Sequence, residues 1–279
     1  MVAFSESAKQ ALNEGRPFDQ AVVEFRDAVF SSPSWIDHGL AVVDDVPVDG
    51  DTASTHDTAV TISQLLGRLL PQDGDGALVR EVRYRGKQLG EGATGRYSDS
   101  KDGGSFHTDG PHRPDTAPEW FALLCVRQAK SGGGLILVLA SQIIERLDAG
   151  TAAVLQQPFL FDQREEGAAP VARPVLQQDA DGEWRVNYLR EYIELGHRHP
   201  DGTPLTSAQR DALDRFDAVI AELVEAPDRI EIKLEPGQYA LIDNRRLLHG
   251  RTAFGDDPTD LDRLMIRTWI RPSQLEAAA

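Results

Sequence analysis

The sequence predicts a mainly β protein with flanking helices, in the α+β class, and three observations support this prediction. From residue 77 onward, short apolar runs such as EWFALLCV, GLILVLA and QYALI are bounded by Gly, Pro and Asp, which is typical of strands. Before residue 75, apolar residues recur at helical spacing in two segments. Near 206–225, Thr206 and Gln209 form a capping-box pattern ahead of an apolar helical repeat.

The first 75 residues are predicted to form a mixed α/β portion. Apolar spacing predicts an amphipathic helix between Pro17 and Phe30, with Pro17 suited to the first helical position. The stretch GLAVVDDVPVDG, 39–50, predicts a strand that runs into a turn. A second helix is predicted from Ala59 to Leu70, where Pro71 would stop it.

Length and composition fit a single domain over residues 1–279. The chain has 279 residues and 41% apolar content, enough to bury one large core. We expect residues 1–75 to pack on a core formed by residues 76–279, which would carry the helical insertion near 206–225. The long loops 98–104, 162–170 and 196–206 are expected to form the mouth of a site.

Charge and cysteine content restrict the classes of partner. A formal net charge of −16 disfavours nucleic acid and anionic membranes, which are bound mainly through Lys and Arg. The one cysteine, Cys125, cannot form an intrachain disulfide, and the longest apolar run, 135–140, is too short to span a bilayer. We therefore expect a cytoplasmic protein with no nucleic-acid or membrane partner, possibly a homo-oligomer.

The stretch SFHTDGPH, 105–112, predicts a metal site. If this segment is extended, His107 and Asp109 lie on one face while Thr108 points the other way. Two imidazoles and one carboxylate on one face of an octahedron are typical of non-haem Fe(II) sites. A third ligand must then come from elsewhere in the chain.

Among the other histidines, His249 has the context of a ligand, since it follows an apolar strand and a turn in YALIDNRRLLHGRTAF. His197 and His199, in GHRHPDGTP, are interpreted as lying in an exposed turn. His112 is expected to line a pocket or lie at the surface, with Tyr97, Asn187 and Tyr188 as further candidates for lining the pocket.

Two glycine patterns are interpreted as structural. The segment GEGATG, 90–95, precedes no helix that could bind a pyrophosphate, so it is expected to be a loop. The segment GGG, 132–134, lacks the Lys-Ser/Thr pair of a phosphate-binding loop.

The segment RLMIRTWIR, 263–271, alternates arginine with apolar residues, so Arg263, Arg267 and Arg271 share one face of a predicted strand. A solvent-facing strand would explain this pattern. However, six of the 29 basic residues, all arginine, occur between 245 and 271 in an acidic chain. Because arginine binds carboxylates bidentately, the pattern also fits an anionic small ligand.

Three features together resemble the Fe(II)/2-oxoglutarate dioxygenases of the taurine dioxygenase and clavaminate synthase superfamily. They are the H-x-D motif, the distant segment DNRRLLHGR, and an arginine fourteen positions beyond the histidine of that segment. The similarity covers roughly residues 35–272 and implies a double-stranded β-helix, or jelly roll. It implies that His107, Asp109 and His249 ligate Fe(II), that Arg263 binds the distal carboxylate of 2-oxoglutarate, and that Arg267 binds an anionic group of the substrate. One departure is Leu135, where relatives commonly place a threonine that helps to hold 2-oxoglutarate.

The resemblance implies an oxygenase that uses Fe(II), 2-oxoglutarate and O2 to hydroxylate an unactivated C–H bond. The expected substrate is a small anion, in the first instance an amino acid or an amino-acid-derived metabolite. Desaturation or cyclisation would use the same ligands. A jelly-roll hydrolase or isomerase and a sensor that retains the three ligands without turnover are the alternatives from other classes.

Overall fold

The computed structural model describes residues 1–14, 19–48, 52–86, 97–165, 167–179, 182–255 and 257–272. Pro17 and the segment GEGATG lie outside the described residues, so the predictions made for them stay predictions.

The strands are as follows: β1 Val2–Ala3, β2 Leu40–Asp44, β3 Arg68–Leu70, β4 Val79–Val82, β5 Gly104–His107, β6 Trp120–Arg127, β7 Leu135–Leu139, β8 Pro158–Phe161, β9 Val171–Pro174, β10 Leu176–Gln178, β11 Trp184–Val186, β12 Ile230–Ile232, β13 Tyr239–Asp243, β14 Leu247–Arg251 and β15 Leu264–Arg271. The helices are α1 Glu6–Asn13, α2 Gln20–Phe30, α3 Pro33–His38, α4 Thr52–Leu66, α5 Ala140–Ile144, α6 Ala149–Leu155, α7 Arg190–Arg198 and α8 Ser207–Val224.

Two sheets form the centre of the molecule. In the larger sheet, the strand order is β1-β2-β13-β6-β15-β3, with β4 also paired to β15. In the smaller sheet, the order is β12-β7-β14-β5. One hydrophobic cluster contains residues of both sheets, among them Phe121 and Met265 from the larger sheet and Leu137 and Leu247 from the smaller. The sheets therefore pack face to face as a sandwich, the jelly-roll arrangement that was predicted.

Helices cover the outer face of each sheet. On the larger sheet, α1, α2 and α4 contribute residues such as Val22 and Ile62 to a cluster with Leu124 and Ile266. On the smaller sheet, α5, α6 and α8 contribute residues such as Ile143 and Phe216 to a cluster with Val138 and Leu248. Because helices cover both outer faces, nearly continuous apolar runs such as FALLC can be buried in the middle of the protein.

The predicted capping box is present at the start of α8. Thr206 accepts a hydrogen bond from the backbone N–H of Gln209, and the Gln209 side chain accepts one from the backbone N–H of Thr206. The helix buries Leu213, Phe216 and Ile220 against the smaller sheet. The predicted helical insertion near 206–225 is confirmed.

The helix predicted from Ala59 to Leu70 is wrong at both ends. In the structure, α4 begins at Thr52 and ends at Leu66, and Arg68–Leu70 pairs with β15 instead. A Cβ atom on Gly67 would lie 2.5 Å from the carbonyl oxygen of Arg271. The glycine therefore allows the backbone to approach the sheet closely, and strand pairing overrides the local helical pattern.

In the described part of the chain, we find no helix with both the length and the apolar character needed to cross a membrane.

Candidate metal centre and its two cavities

Three donor side chains meet between two neighbouring strands. His107 ends β5, Asp109 follows two residues later, and His249 is the central residue of β14. These two strands are antiparallel partners in which His107 is paired with His249, and their ring centroids are 4.2 Å apart. One donor atom from each of the three side chains lies within 4.8 Å of the other two, and all three residues are buried.

Hydrogen bonds orient His107 toward Asp109. The Nδ1 of His107 donates to the carbonyl oxygen of Ser105 at 2.7 Å, so its Nε2 carries the lone pair. This Nε2 lies 3.9 Å from Oδ1 of Asp109. Thr108 points away, since its hydroxyl accepts from the backbone N–H of Tyr188 at 3.0 Å. The predicted alternation of side chains across residues 107–109 is therefore present.

Burial keeps both imidazoles in the form that can bind a metal. Burial lowers the pKa of His107, and it lowers the pKa of His249 well below its ordinary value, with His107 as the next cause. Burial alone would raise the pKa of Asp109, but Arg267 and then the two histidines hold it below its ordinary value. Two neutral imidazoles and one carboxylate fit Fe(II).

The Asp109 carboxylate is held on both oxygens. Arg267 NH1 donates to Oδ1 at 2.7 Å, and the indole Nε1 of Trp269 donates to Oδ2 at 2.9 Å. Asn244 fixes the backbone of the same residue, because its amide accepts from the N–H of Asp109 and donates to its carbonyl oxygen. The same amide donates to the carbonyl of Pro118. Such partners set the orientation of a carboxylate before a metal binds.

His249 is positioned by packing. Its ring lies 4.3 Å from the ring of Phe121, which is fully buried. Its Nδ1 is buried and has no hydrogen-bond partner among the described residues. Hydrogen bonds to this nitrogen therefore do not fix the ring, and the packing on Phe121 orients it.

An inner cavity of about 60 Å³ extends from these histidines to a buried arginine. Arg263, 5% exposed, lines it together with Leu135 and Arg251. Its Nε donates to Gln128 at 3.1 Å, and one terminal nitrogen donates to the carbonyl of Gly133 at 3.1 Å. Burial, and then Arg251, lowers the pKa of Arg263 to about 10.

The GGG segment has a structural role, as predicted. A Cβ atom on Gly133 would lie 2.8 Å from Nε of Arg263, and its φ of +72° favours glycine. The segment can therefore wrap closely around the guanidinium.

A second cavity, the outer cleft, has a volume of about 380 Å³ and shares His107 with the lining of the inner cavity. His107 and Asp109 lie in its lining, and Tyr97, Ser98 and Arg267 line both cavities. Ser98 and residues 163–165 also line the cleft, so parts of loops 98–104 and 162–170 lie at this cleft. Residues of loop 196–206 line a separate pocket instead, so the role expected of this loop is wrong.

The prediction that His197 lies in an exposed turn is wrong. This residue belongs to α7 and is 6% exposed. Its Nε2 accepts from the backbone N–H of Leu160 at 3.0 Å, and its Nδ1 donates to the carbonyl of Thr203 at 2.6 Å. These two bonds tie α7 to β8 and to the following loop, so the histidine is structural.

The four residues expected to line one pocket lie in different places in the structure. Tyr97 and His112 line the outer cleft, whereas Tyr188 lines a separate groove beside α8. Asn187 donates to the carbonyl of Pro174 and links β11 to the chain before β10.

The arginine-rich C-terminal region does not form a solvent-facing strand. Arg251, Arg263 and Arg267 line the inner cavity, and β15 is buried over most of its length. The others bind protein groups: Arg245 donates to Asp243 and Glu119, and Arg246 and Arg271 donate to backbone carbonyls. Only part of the cluster is therefore available to a ligand.

Sequence reasoning missed the groups that hold Asp109. Trp269 shares a strand face with Arg267, so period-two alternation could have located its indole beside the carboxylate. Gln72 accepts from Nε of Arg267 at 2.9 Å across 195 residues, and Asn244 lies in the turn between β13 and β14. Neither position carries a local signal, because each contact depends on the packing of distant segments.

The fold and the site define a class: jelly-roll enzymes with a two-histidine, one-carboxylate metal centre. The sequence profile described as "Taurine catabolism dioxygenase TauD, TfdA family" matches residues 32–269. The chain belongs to this family, and it is an Fe(II)- and 2-oxoglutarate-dependent dioxygenase.

Two curated proteins and one solved structure are similar to this chain. FR-33289 synthase of Streptomyces rubellomurinus is 29% identical over 249 residues, covering 83% of this chain and 68% of that protein. Uridine-5'-phosphate dioxygenase of a Streptomyces species is 29% identical over 170 residues, covering 58% of this chain and 60% of that protein. The crystal structure of asparagine oxygenase in complex with Fe(II), 2S,3S-3-hydroxyasparagine and succinate matches with a TM-score of 0.70 at 22% identity, covering 96% of this chain and 92% of that one.

Proposed function

We propose that His107, Asp109 and His249 hold the Fe(II), and that the enzyme hydroxylates an unactivated C–H bond of a small anionic substrate. The convergence of these three donors between two cavities carries the proposal. One cavity ends at a buried arginine, and the other opens to solvent. This arrangement suits a cosubstrate on one side of the metal and a substrate on the other.

In this proposal the inner cavity takes 2-oxoglutarate. The buried guanidinium of Arg263 binds its distal carboxylate, supported by an unpartnered NH1 and by the spacing of fourteen residues from His249. When bound, iron and 2-oxoglutarate supply the oxidising chemistry: substrate, 2-oxoglutarate and O2 give hydroxylated substrate, succinate and CO2. Phe121 and Leu123 add apolar surface to the lining of the inner cavity.

The outer cleft takes the substrate, with Arg267 as the residue that meets its anionic group. Arg267 uses Nε on Gln72 and NH1 on Asp109, and its guanidinium lines the cleft. A cleft of about 380 Å³ suits a small molecule. An amino acid or amino-acid-derived metabolite is our first choice, supported by the hydroxyasparagine bound to the similar asparagine oxygenase.

The remaining features of the chain fit this role. The net charge of −16 disfavours nucleic acid as a partner. Buried Cys125, whose pKa burial raises to about 12, supports a protein of a reducing compartment such as the cytoplasm. Packing of α1, α2 and α4 on the larger sheet supports one domain over residues 1–279.

The test is an anaerobic titration followed by exposure to air. Adding Fe(II) and 2-oxoglutarate to the protein should produce a visible metal-to-ligand charge-transfer band, and admitting air with a panel of amino acids should yield succinate. Iron binding without the band would favour a hydrolase or isomerase. A band without succinate across the panel would favour a sensor.

A further inference from the structure

Arg251 lines the inner cavity beside Leu135, the residue that departs from the family pattern. Its strand, β14, pairs with β7, and Arg251 is the cross-strand partner of Leu135. Both residues line the cavity together with Arg263. At the position where the family resemblance implies a threonine hydroxyl, this chain therefore has a leucine with an arginine directly beside it.

Arg251 and Arg263 are both about 95% buried, and burial lowers the pKa of Arg251 by more than the nearby Tyr97 and Asp102 raise it. Among the described residues, neither guanidinium forms an ion pair with a carboxylate within 4.0 Å. The Nε of Arg251 and NH1 of Arg263 are buried without an acceptor. Two buried cations with spare donors are costly unless an anion completes the site.

The surroundings hold the Arg251 guanidinium in place. Its NH2 donates to the carbonyl oxygens of Ser100 at 2.7 Å and Asp102 at 2.9 Å. The group lies over the rings of Tyr97, at 4.4 Å, and Phe254, at 4.9 Å. A donor fixed in this way loses little entropy when it binds a ligand.

We propose that Arg251 and Arg263 together bind the distal carboxylate of 2-oxoglutarate, with Arg251 replacing the hydroxyl that Leu135 lacks. This inference rests on the proposed function, because it assumes that the inner cavity takes the cosubstrate. Two guanidiniums offer more charge than an arginine and a hydroxyl. The site therefore selects strongly for a keto acid with a second carboxylate.

The experiment compares two keto acids with the wild-type enzyme and Arg251→Gln under anaerobic conditions with Fe(II). 2-Oxoglutarate has the distal carboxylate and 2-oxobutanoate does not, and both chelate iron through the same carboxylate and ketone. The glutamine retains an amide that can donate to the Ser100 carbonyl. The dissociation constants come from the charge-transfer band, and iron affinity is measured separately.

Arg251→Gln should raise the Kd for 2-oxoglutarate by at least about 30-fold, the usual effect of truncating one partner of a buried charge pair. The Kd for 2-oxobutanoate and the affinity for iron should change less than about threefold. An unchanged 2-oxoglutarate Kd in the folded variant would overturn the inference, and so would equal weakening of both acids. Absence of a band in the wild type would instead count against the proposed function.

A second pair of variants leaves Arg251 intact in case Arg251→Gln does not fold. Leu135→Glu places a carboxylate opposite Arg251, whereas Leu135→Gln adds similar bulk without charge. The glutamate should occupy the anion subsite, so 2-oxoglutarate should bind at least about 30-fold more weakly to it than to the glutamine variant. Equal affinities of these two variants would also overturn the inference.

Discussion

His197 and His249 are buried to the same extent, each 6% exposed, yet their surroundings differ. Both ring nitrogens of His197 are hydrogen-bonded to backbone groups of neighbouring segments. His249 packs on Phe121 and has a buried Nδ1 without a partner. His197 is therefore fully paired within the protein, whereas His249 is available to a ligand such as a metal ion.

The same contrast separates two arginines. Arg245 donates to Asp243 at 3.1 Å and to Glu119 at 2.6 Å, and both contacts raise its pKa against the effect of burial. Arg263 bonds an amide and a carbonyl, and its pKa falls to about 10. Full pairing within the chain marks a structural group, whereas incomplete pairing in a cavity marks a binding group.

The largest expected effect is that of His249→Ala. Removing one of three ligands should weaken Fe(II) by more than about 100-fold, since even loss of a ligand's partner costs 10–100-fold. Succinate production should fall below detection. Iron affinity is measured by anaerobic titration, with circular dichroism to confirm the fold. Wild-type iron affinity in this variant would contradict the assignment of His249, rather than His197, as a metal ligand.

Arg263→Gln should have the next largest effect, on the cosubstrate. Loss of a buried cation facing a carboxylate should weaken 2-oxoglutarate by about 2–5 kcal/mol, with Fe(II) affinity nearly unchanged. Arg245→Gln is the matched control, because it removes a paired guanidinium outside both cavities. The charge-transfer titration should show weaker 2-oxoglutarate binding for Arg263→Gln and wild-type binding for Arg245→Gln. Equal effects at both positions would mean that pairing does not distinguish the two roles.

His197→Ala should act on stability. It leaves the N–H of Leu160 and the carbonyl of Thr203 without their partner, which should lower the free energy of unfolding by about 1–3 kcal/mol. Urea denaturation of the metal-free protein measures this change. Iron affinity should stay within about threefold of wild type, and a larger loss would assign His197 to the site.

Trp269→Phe should have the smallest effect. It removes the hydrogen bond from the indole to Oδ2 of Asp109 and keeps an aromatic ring beside Arg267. We expect iron to bind about 10-fold more weakly, at the lower end of the range for partners of metal ligands. An iron titration that gives the wild-type affinity would show that Arg267 and Asn244 suffice to orient the carboxylate.

Much of this site could be predicted from sequence because its parts follow strand periodicity. His107 and Asp109 share a face in a local pattern, His249 follows a clear apolar strand, and Arg263 and Arg267 alternate with buried residues. The strand and helix classes of most elements followed from apolar spacing in the same way. Each of these signals lies within a few residues, where backbone geometry fixes the directions of the side chains.

What the sequence could not predict depends on contacts between distant segments. Gly-rich and Pro-rich surroundings suggested an exposed His197, but α7 packs on β8 and buries it. Residues 68–70 continue a helical pattern, yet pairing with β15 makes them a strand. Gln72 carries no chemical signal until the fold brings it to Arg267. In each case, tertiary packing outweighs a local pattern.

The most direct test of the central claim is a crystal structure of the protein grown anaerobically with Fe(II) and 2-oxoglutarate, with iron located by its anomalous scattering. We expect one iron bonded to His107, Asp109 and His249, with the distal carboxylate of 2-oxoglutarate bound by Arg263. An iron bonded to other side chains, or a distal carboxylate in the outer cleft, would contradict this account.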